Sequence, residues 1–345
     1  MTRRQHRAPG RRRRPQTRRP LLRRPVLRRP LLRRGPGGGE RRTRRIVAAV
    51  TAVLAVAAAA LGIALDGGFG GGPSDPAARA YVGVFAPPAP ASYSGVRAFT
   101  AATGVRPGLV AYYSSWNEPF RAGFARTAAR HHALPIVQID PEGISLAAIA
   151  RGRYDAYLRS YARSVRATGQ HVVLSFGHEM NGTWYSWGYH HVPPRVFVAA
   201  WRHLVTVFRA VGARNVTWLW TVNVIQKTVH VMSPLRWWPG RAYVNWVGID
   251  GYYRRPSWKF AALFGPTIKA VRTLTLDPIL ISETGAAEKA GKAAKIANLF
   301  AGVRAYGLLG LVWFDADRQQ DWRVAGSAAV AAFRRAAQTV AQVRP

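Results

Sequence analysis

A histidine followed directly by a glutamate opens the polar motif HEMNGTWYSWG at residues 178–188. His178 and Glu179 could belong to a metal site, but a zinc-binding H-E-x-x-H helix needs a second histidine four residues after the first. That position is Gly182, and the chain has no cysteine to complete a soft-metal site. We therefore expect no metal and no cofactor, and we expect Glu179 to act as a carboxyl group.

A second glutamate, Glu283 in the segment ISETG, also follows an apolar run. Two facing carboxyl groups are what a retaining glycosidase needs, one protonated to donate to the leaving oxygen and one ionised to attack the anomeric carbon. Their mutual repulsion helps to hold the two pKa values apart. The alternative is that each glutamate is a solvated loop acid. That alternative is weaker because only 14 of the 300 residues after position 45 are acidic.

Eight short apolar runs divide the second part of the chain and predict strands. They begin at residues 81, 108, 135, 171, 216, 246, 278 and 309. Most stretches between them have helical periodicity, as in Phe197, Trp201, Leu204 and Phe208. Strands that are apolar throughout and alternate with helices indicate an α/β fold with a parallel sheet buried on both faces. Eight such units predict a (β/α)8 TIM barrel, whose usual size is about 250 residues.

A doubly wound open sheet is the alternative fold, but it normally has a glycine-rich turn after the first strand, where this chain has APPAPASYS. The barrel also places the polar residues well, because barrel enzymes work at the carboxyl ends of their strands. Besides the two glutamates, the polar residues at or just past predicted strand ends are Asn117, Glu118, Asp140, Glu142, His178, Asn223, Asp250, Tyr252 and Asp315.

Residues 1–45 hold 19 of the 51 basic residues of the chain and a single acid, Glu40. This segment is rich in proline and arginine, which predicts a disordered basic tail. An arginine-rich nucleic-acid-binding membrane protein is one functional class that it suggests. No aromatic residue interleaves the arginines to stack on bases, so we expect no nucleic-acid partner.

Residues 46–65 carry no charge over 20 positions, which is enough for a helix to span a bilayer. The arginines lie on one side only, so that side is expected in the cytoplasm and the rest outside. We therefore predict a single transmembrane signal anchor, a glycine-rich linker over 66–79 and a folded, monomeric domain over 80–345. A cleaved signal peptide on a secreted protein and a start codon placed too far upstream are the alternatives.

Four segments together resemble glycoside hydrolase family 26 over about residues 80–330. They are HEMNGTWYSWG, VNWVGIDGYY, ISETG and LVWFDADRQQDWR. The resemblance implies a retaining enzyme with a (β/α)8 barrel, in which Glu179 is the acid/base and Glu283 the nucleophile. It also implies that Tyr252 hydrogen-bonds the nucleophile. Substrate contacts are implied for a set of residues on the same face: His178, Trp184, Tyr252, Trp322 and Arg323, with Trp313 as the competing aromatic.

The resemblance implies an endo-acting β-glycanase for an extracellular β-linked polysaccharide, with β-1,4-mannan favoured. A β-1,3/1,4-glucanase, a xylanase and a non-catalytic glycan-binding barrel are the alternatives. Twelve tryptophans suit a sugar-binding protein because indole rings cover the apolar C–H faces of sugars. Core packing is expected instead for Trp201, Trp218 and Trp220. Trp116, Asn223 and Asp250 lie on the predicted functional face without an assigned role.

Overall fold

The computed structural model describes residues 79–226 and 230–343. Within these ranges, eight strands lie where the sequence predicts them. From β1 to β8 their bounds are Arg79–Phe85, Leu109–Ser115, Leu134–Asp140, Val172–Phe176, Val216–Asn223, Trp246–Tyr253, Ile279–Ala286 and Gly310–Phe314.

The eight strands form a closed ring. They pair in chain order and all neighbours are parallel. The ring closes where β1 pairs with β8, from Tyr81 opposite Gly310 to Phe85 opposite Phe314. Parallel neighbours need crossover connections, and these carry the helices around the outside of the ring. The predicted (β/α)8 barrel is confirmed.

The helices use their apolar stripes to cover the ring. From α1 to α9 their bounds are Ser94–Thr103, Ala122–Arg130, Leu146–Ala150, Asp155–Ala167, Pro194–Val211, Phe260–Leu263, Gly265–Arg272, Lys292–Ala305 and Ser327–Ala337. In α5 the predicted stripe of Phe197, Trp201, Leu204 and Phe208 is buried. This helix ends at Gly212, whose left-handed backbone (φ 77°) is one that glycine adopts without steric penalty.

The strands bury side chains on both faces, which gives the barrel two apolar cores. Leu109, Leu134, Val173, Leu219 and Leu280 belong to the smaller core, which fills the inside of the ring. The alternate side chains, such as those of Val110 and Leu174, belong to the larger core between the ring and the helices. This alternation decides which side chains at the strand ends can reach a site in the barrel mouth.

Three short strands supplement the ring. After β8, the chain makes a small hairpin of β9 (Asp317–Arg318) and β10 (Gln320–Asp321). At the other end of the barrel, β11 (Ala341–Gln342) adds in parallel to the first residues of β1. The chain therefore enters and leaves the barrel side by side.

The predicted tail, anchor and most of the predicted linker lie outside the described residues. β1 begins at Arg79, the last residue assigned to the linker. Among the helices that the structure describes, none has the length and apolar composition needed to cross a membrane. The anchor predicted over 46–65 is not among them.

Candidate active site

Glu179 lies three residues beyond the end of β4, and an unusual backbone places it over the barrel mouth. Gly177 and Glu179 have φ values of 55° and 54°, in the left-handed region that a side chain with a Cβ seldom adopts. The Glu179 amide donates a hydrogen bond to the Thr221 carbonyl of β5 over 3.0 Å. Strained backbone of this kind is concentrated at functional sites, where the surrounding structure holds it in place.

Both carboxyl oxygens of Glu179 accept hydrogen bonds. Asn223 Nδ2 donates to Oε1 over 2.5 Å, and the indole Nε1 of Trp184 donates to Oε2 over 2.7 Å. Burial and the nearby Glu283 carboxylate raise the pKa of Glu179 to about 7, although His178 and the two hydrogen bonds act in the opposite direction. A carboxyl group with this pKa can hold a proton near neutral pH and give it up.

A β-bulge in β7 directs Glu283 into the same cavity. Between β6 and β7, Gly248 is opposite Leu280 but Asp250 is opposite Glu283, so β7 contains one extra residue. The register with β8 shifts in the same way between Ile281 and Thr284. Strict alternation from the inward-facing Leu280 would turn Glu283 outward, toward the helices. The extra residue reverses this and turns the carboxylate inward.

Two tyrosine hydroxyls donate to Glu283. Tyr113 at the end of β2 donates to Oε2, and Tyr252 in β6 donates to Oε1. The two glutamates therefore have different partners, because an amide and an indole donate to Glu179 while two phenol hydroxyls donate to Glu283.

His178 lies behind Glu179 and carries a positive charge. Its Nδ1 is 3.0 Å from Asp140 Oδ1, an ionic contact without the alignment of a hydrogen bond, and its Nε2 is 3.0 Å from the Tyr185 hydroxyl. Burial lowers the pKa of His178, but Asp140 and the neighbouring acids outweigh it and raise the pKa to about 10. The imidazolium in turn lowers the pKa of Glu179.

Asn181 and Asp250 support the floor of the site. Asn181 is fully buried, donates to the carbonyl groups of Asn223 and Met232, and accepts from the Asn223 amide over 2.9 Å. It thereby fixes the residue that bonds to Glu179. Asp250 accepts a hydrogen bond of 2.6 Å from Ser282 through Oδ1. Burial and the two glutamates raise the pKa of Asp250 well above its usual range.

The two glutamates share one cavity of about 830 Å³ at the carboxyl ends of the strands. Of the residues predicted to act there, it brings together Glu179, Glu283, Trp184, Tyr252 and Trp322. Trp184 is 45% exposed at the rim, and its ring packs over Gly182, where a Cβ atom would lie 2.4 Å from the ring. Further lining residues include Phe85, Tyr113, Tyr185, Asn223, Trp258 and Phe314.

Three predicted substrate contacts do not line the cavity. His178 is buried behind Glu179, and Trp313 and Arg323 lie further away. Trp313 is completely buried on the outward face of β8, packs edge-on against Phe333 of α9, and donates to the Trp322 carbonyl over 2.9 Å. Its neighbour Phe314 faces the cavity instead, because successive strand residues alternate in direction. Arg323 is outside the cavity and forms a two-pronged ion pair with Asp321. The structure therefore places none of these three side chains in the lining of the cavity.

Several other polar strand-end residues do not reach the site. Glu118 pairs with Arg121 at the surface, and Asp315 accepts a hydrogen bond from the Val324 amide, which closes the loop after β8. Asn117 and Glu142 are exposed and do not line the cavity. Among the described residues, no group of three or more acidic or histidine side chains is arranged to hold a metal ion.

The tryptophans expected in the core are there. Trp201 and Trp220 are buried, and Trp218 packs edge-on against Phe208 of α5. Trp116 is also buried against Tyr154 and Tyr157, so the structure gives it a packing role.

Three residues that the structure places at the site are not predicted from the sequence: Tyr113, Tyr185 and Asn181. The signal for Tyr113 was present, because it shares the inward side of β2 with Leu109 and Ala111. Tyr185 and Asn181 depend on the path of the loop after Glu179, which spacing alone does not specify.

Comparisons with known proteins agree with this geometry. The sequence profile of the glycosyl hydrolase family 26 matches residues 151–286, which include both glutamates. Endoglucanase H of Acetivibrio thermocellus is 31% identical over 265 residues, covering 71% of this chain. The chain belongs to glycoside hydrolase family 26. It spans only 29% of the length of that curated relative.

Solved structures of family 26 proteins have the same fold as this chain. A Bacillus subtilis mannanase superposes with a TM-score of 0.59 at 14% identity, over 77% of this chain and 87% of the mannanase. A modular Cellulomonas fimi endo-β-1,4-mannanase gives a TM-score of 0.60 at 18% identity, over 77% and 72% of the two chains. At these levels of sequence identity, the similarity to the solved structures shows a shared barrel fold alone.

Proposed function

We propose that the protein is a retaining endo-β-glycanase that hydrolyses a β-linked polysaccharide, with β-1,4-mannan as the favoured backbone. One observation carries the proposal: Glu179 and Glu283 line one cavity in contrasting environments. Glu179 has a pKa of about 7, while both oxygens of Glu283 accept tyrosine hydrogen bonds. A retaining glycosidase needs this division between a proton donor and a nucleophile.

The reaction proceeds in two steps. A carboxylate oxygen of Glu283 attacks the anomeric carbon while Glu179 gives its proton to the glycosidic oxygen, so the C–O bond breaks and the leaving chain departs as an alcohol. Water then attacks the same carbon and gives a proton to Glu179, which releases Glu283 as a carboxylate. Trp184 and Asn223 orient the Glu179 carboxyl group, and Tyr113 and Tyr252 orient Glu283.

Replacing each glutamate by alanine tests this division. Glu283→Ala should abolish hydrolysis of every substrate, because no glycosyl-enzyme can form. Glu179→Ala should still react with an activated aryl glycoside in a burst, while polysaccharide cleavage falls by about 10²- to 10⁴-fold. Added azide should restore turnover of the activated substrate by Glu179→Ala and yield the β-azide.

The control for these variants is Glu142→Ala, because Glu142 is an exposed loop acid outside the cavity. If azide instead restored the activity of Glu283→Ala and yielded the α-azide, the assignments of acid/base and nucleophile would have to be exchanged. Full activity of both variants would rule out this pair of residues. A glycan-binding barrel without turnover would bind polysaccharide but release no products in any of these assays.

A β-glucan is the second candidate backbone. The relative that is 31% identical is an endoglucanase by name, whereas the solved structures include mannanases. Incubating the protein with mannan, mixed-linkage β-glucan and β-1,3-xylan, and measuring product sizes, distinguishes these backbones. The proposal expects the largest kcat/KM on mannan.

We also propose that the barrel is exported and stays attached to the membrane through residues 46–65. Support comes from their uncharged composition and from arginines on one side only. A reporter fused after residue 70 should be protected from cytoplasmic labelling and should sediment with membranes in high salt. Release of a product that begins near residue 67 would instead identify a cleaved signal.

A further inference from the structure

Three arginine side chains line the cavity at its rim. Arg254 and Arg255 follow β6, and Arg318 lies in the hairpin after β8. All three are exposed. The acids among the lining residues are Glu179 and Glu283, which the proposed reaction already uses. The rim therefore carries a positive charge beyond what hydrolysis of a neutral glycan needs.

These three arginines lack protein counter-ions. Within residues 79–226 and 230–343, none of them forms an ion pair. The neighbouring Arg323 differs, because Asp321 binds its guanidinium through two contacts of 2.8 Å and Asp317 lies 3.7 Å away. The N–H donors of the three cavity arginines are thus available to a ligand.

Aromatic rings of the cavity hold two of these guanidinium groups. That of Arg254 lies 5.1 Å from the Trp322 ring centroid and 5.8 Å from that of Tyr252. Arg255 lies 5.8 Å from the Trp258 ring centroid. Cation–π contact limits the motion of a guanidinium group but leaves its N–H edge free to donate.

Two buried lysines of α8 fix the loops that carry the arginines. Lys295 Nζ donates to the carbonyl groups of Pro256 and Trp258 over 2.6 and 2.5 Å. Lys292 Nζ donates to the carbonyl groups of Asp321 and Arg323 over 3.0 and 2.8 Å. Both lysines are 3% exposed, and a buried ammonium group is stable only when such acceptors surround it.

We propose that the cavity binds a β-glycan that carries anionic substituents, with the carboxylate of a uronic acid as the best match. A neutral glycan offers no negative charge to three unpaired guanidinium groups, whereas a carboxylate matches both their charge and their planar donor fork. Tyr252 donates to Glu283, and its ring centroid lies 4.5 Å from that of Trp322. Arg254 lies against both rings, so the substituent that it binds is on the sugar that Glu283 attacks or on the neighbouring sugar. This inference rests on the proposed glycanase function.

The test compares one backbone in three forms: unmodified mannan, mannan partly oxidised to carboxylate at C6, and partly sulfated mannan. The protein should show a kcat/KM about tenfold higher on oxidised than on unmodified mannan at low salt, as three exposed ion pairs would give. The ratio should shrink in about 0.5 M salt, because counter-ions screen exposed charges. A larger ratio for sulfated than for oxidised mannan would identify sulfate as the substituent.

The variant that replaces Arg254, Arg255 and Arg318 together by glutamine should lose this preference. The matched control replaces Arg126, Arg163 and Arg195 by glutamine, since these arginines are exposed on the outer helices and the change in net charge is the same. Retention of the preference in the rim variant, or its loss in the control, would overturn the inference.

Binding separates this inference from the proposed function. The affinities of the Glu179→Gln variant for oxidised and unmodified mannan, measured by calorimetry, do not depend on turnover. Equal affinities would overturn the anionic specificity even if mannan is hydrolysed. Absence of hydrolysis of every β-glycan would contradict the proposed function, while a higher affinity for oxidised mannan would still support the anionic site.

Discussion

The indole nitrogen of Trp184 donates a 2.7 Å hydrogen bond to the carboxyl group of Glu179, five residues earlier in the chain. This bond joins a rim tryptophan, 45% exposed, to the candidate proton donor. One side chain can therefore both contact a sugar and adjust the pKa of the acid.

Replacing Trp184 by phenylalanine removes this bond while keeping an aromatic ring. The bond lowers the pKa of Glu179, so its loss should raise that pKa above about 7. The alkaline limb of kcat/KM against pH should then move to higher pH. Trp238→Phe is the control, because Trp238 packs against Trp220 outside the cavity and should leave the limb in place. An unchanged alkaline limb in Trp184→Phe would show that this hydrogen bond does not lower the pKa of Glu179 in the free enzyme.

The charge of His178 should act on the pKa of Glu179 in the same direction as this hydrogen bond. Asp140→Asn removes the counter-ion that keeps His178 protonated, so the pKa of His178 falls and the imidazolium no longer lowers the pKa of Glu179. The alkaline limb should again move to higher pH. Glu142→Gln, two residues further along the chain, changes an exposed acid and should have no such effect. A shift to lower pH in Asp140→Asn would show that His178 stays charged without its partner.

Tyr113→Phe should lower kcat by about 10- to 100-fold, because a hydrogen bond to a charged group contributes about 1.5–3 kcal/mol. The hydroxyl bonds directly to Glu283. Tyr112→Phe is a closely matched control: Tyr112 is the preceding residue, it is fully buried on the outer face of β2, and its hydroxyl does not bond to Glu283. Equal losses in both variants would point to packing rather than to Glu283.

The raised pKa of Glu179 also affects stability. A carboxyl group with a pKa of about 7 when folded and 4.5 when unfolded holds its proton more tightly in the folded state. Its contribution therefore destabilises the fold progressively as pH rises from about 4.5 to 7, and then stays constant. The free energy of unfolding of Glu179→Gln should exceed that of the natural protein by on the order of 1–3 kcal/mol above pH 7. Below pH 4.5 the two should not differ in this way. Urea unfolding at both pH values measures this difference.

Lys295 should act as a positioning residue for the loop after β6. Lys295→Met leaves the carbonyl groups of Pro256 and Trp258 without their donor. We expect KM for polysaccharide to rise several-fold, with a smaller change in the burst of an activated aryl glycoside, which does not extend to that loop. Lys269→Met at an exposed site of α7 is the control. Parallel losses with both substrates would indicate a purely structural role.

The barrel and the position of two glutamates at its mouth could be predicted because both depend on local pattern. Apolar runs and intervening helical stripes specify the barrel, and a residue at the end of such a run lies at the mouth. The direction of a side chain is a finer property. Glu283 faces the cavity only because β7 gains a residue between Leu280 and Glu283. The bulge is defined by the pairing of β7 with β6 and β8, and the residues ISETG alone do not predict it.

Trp313 illustrates the same limit. The family resemblance implies it as the aromatic that competes with Trp322, but the alternation along β8 turns Phe314 toward the cavity and Trp313 toward the helices. If one inward-facing residue of β8 were known, the alternation would predict the directions of both Trp313 and Phe314. The left-handed backbone of Glu179 and the loop that returns Trp184 to it depend on contacts between β4 and β5, which spacing in the sequence does not encode.

The pairing of Arg79 with Ala341 fixes both ends of the domain at the floor of the barrel, opposite the carboxyl ends of the strands. If the domain were attached to a solid support through either of these ends, the barrel mouth would face away from the support. A large polymer could then still reach the mouth. The same adjacency suits circular permutation. A short peptide joining Val343 to Arg79 would create a continuous chain at the floor, and new ends could be opened in a surface loop without cutting the ring.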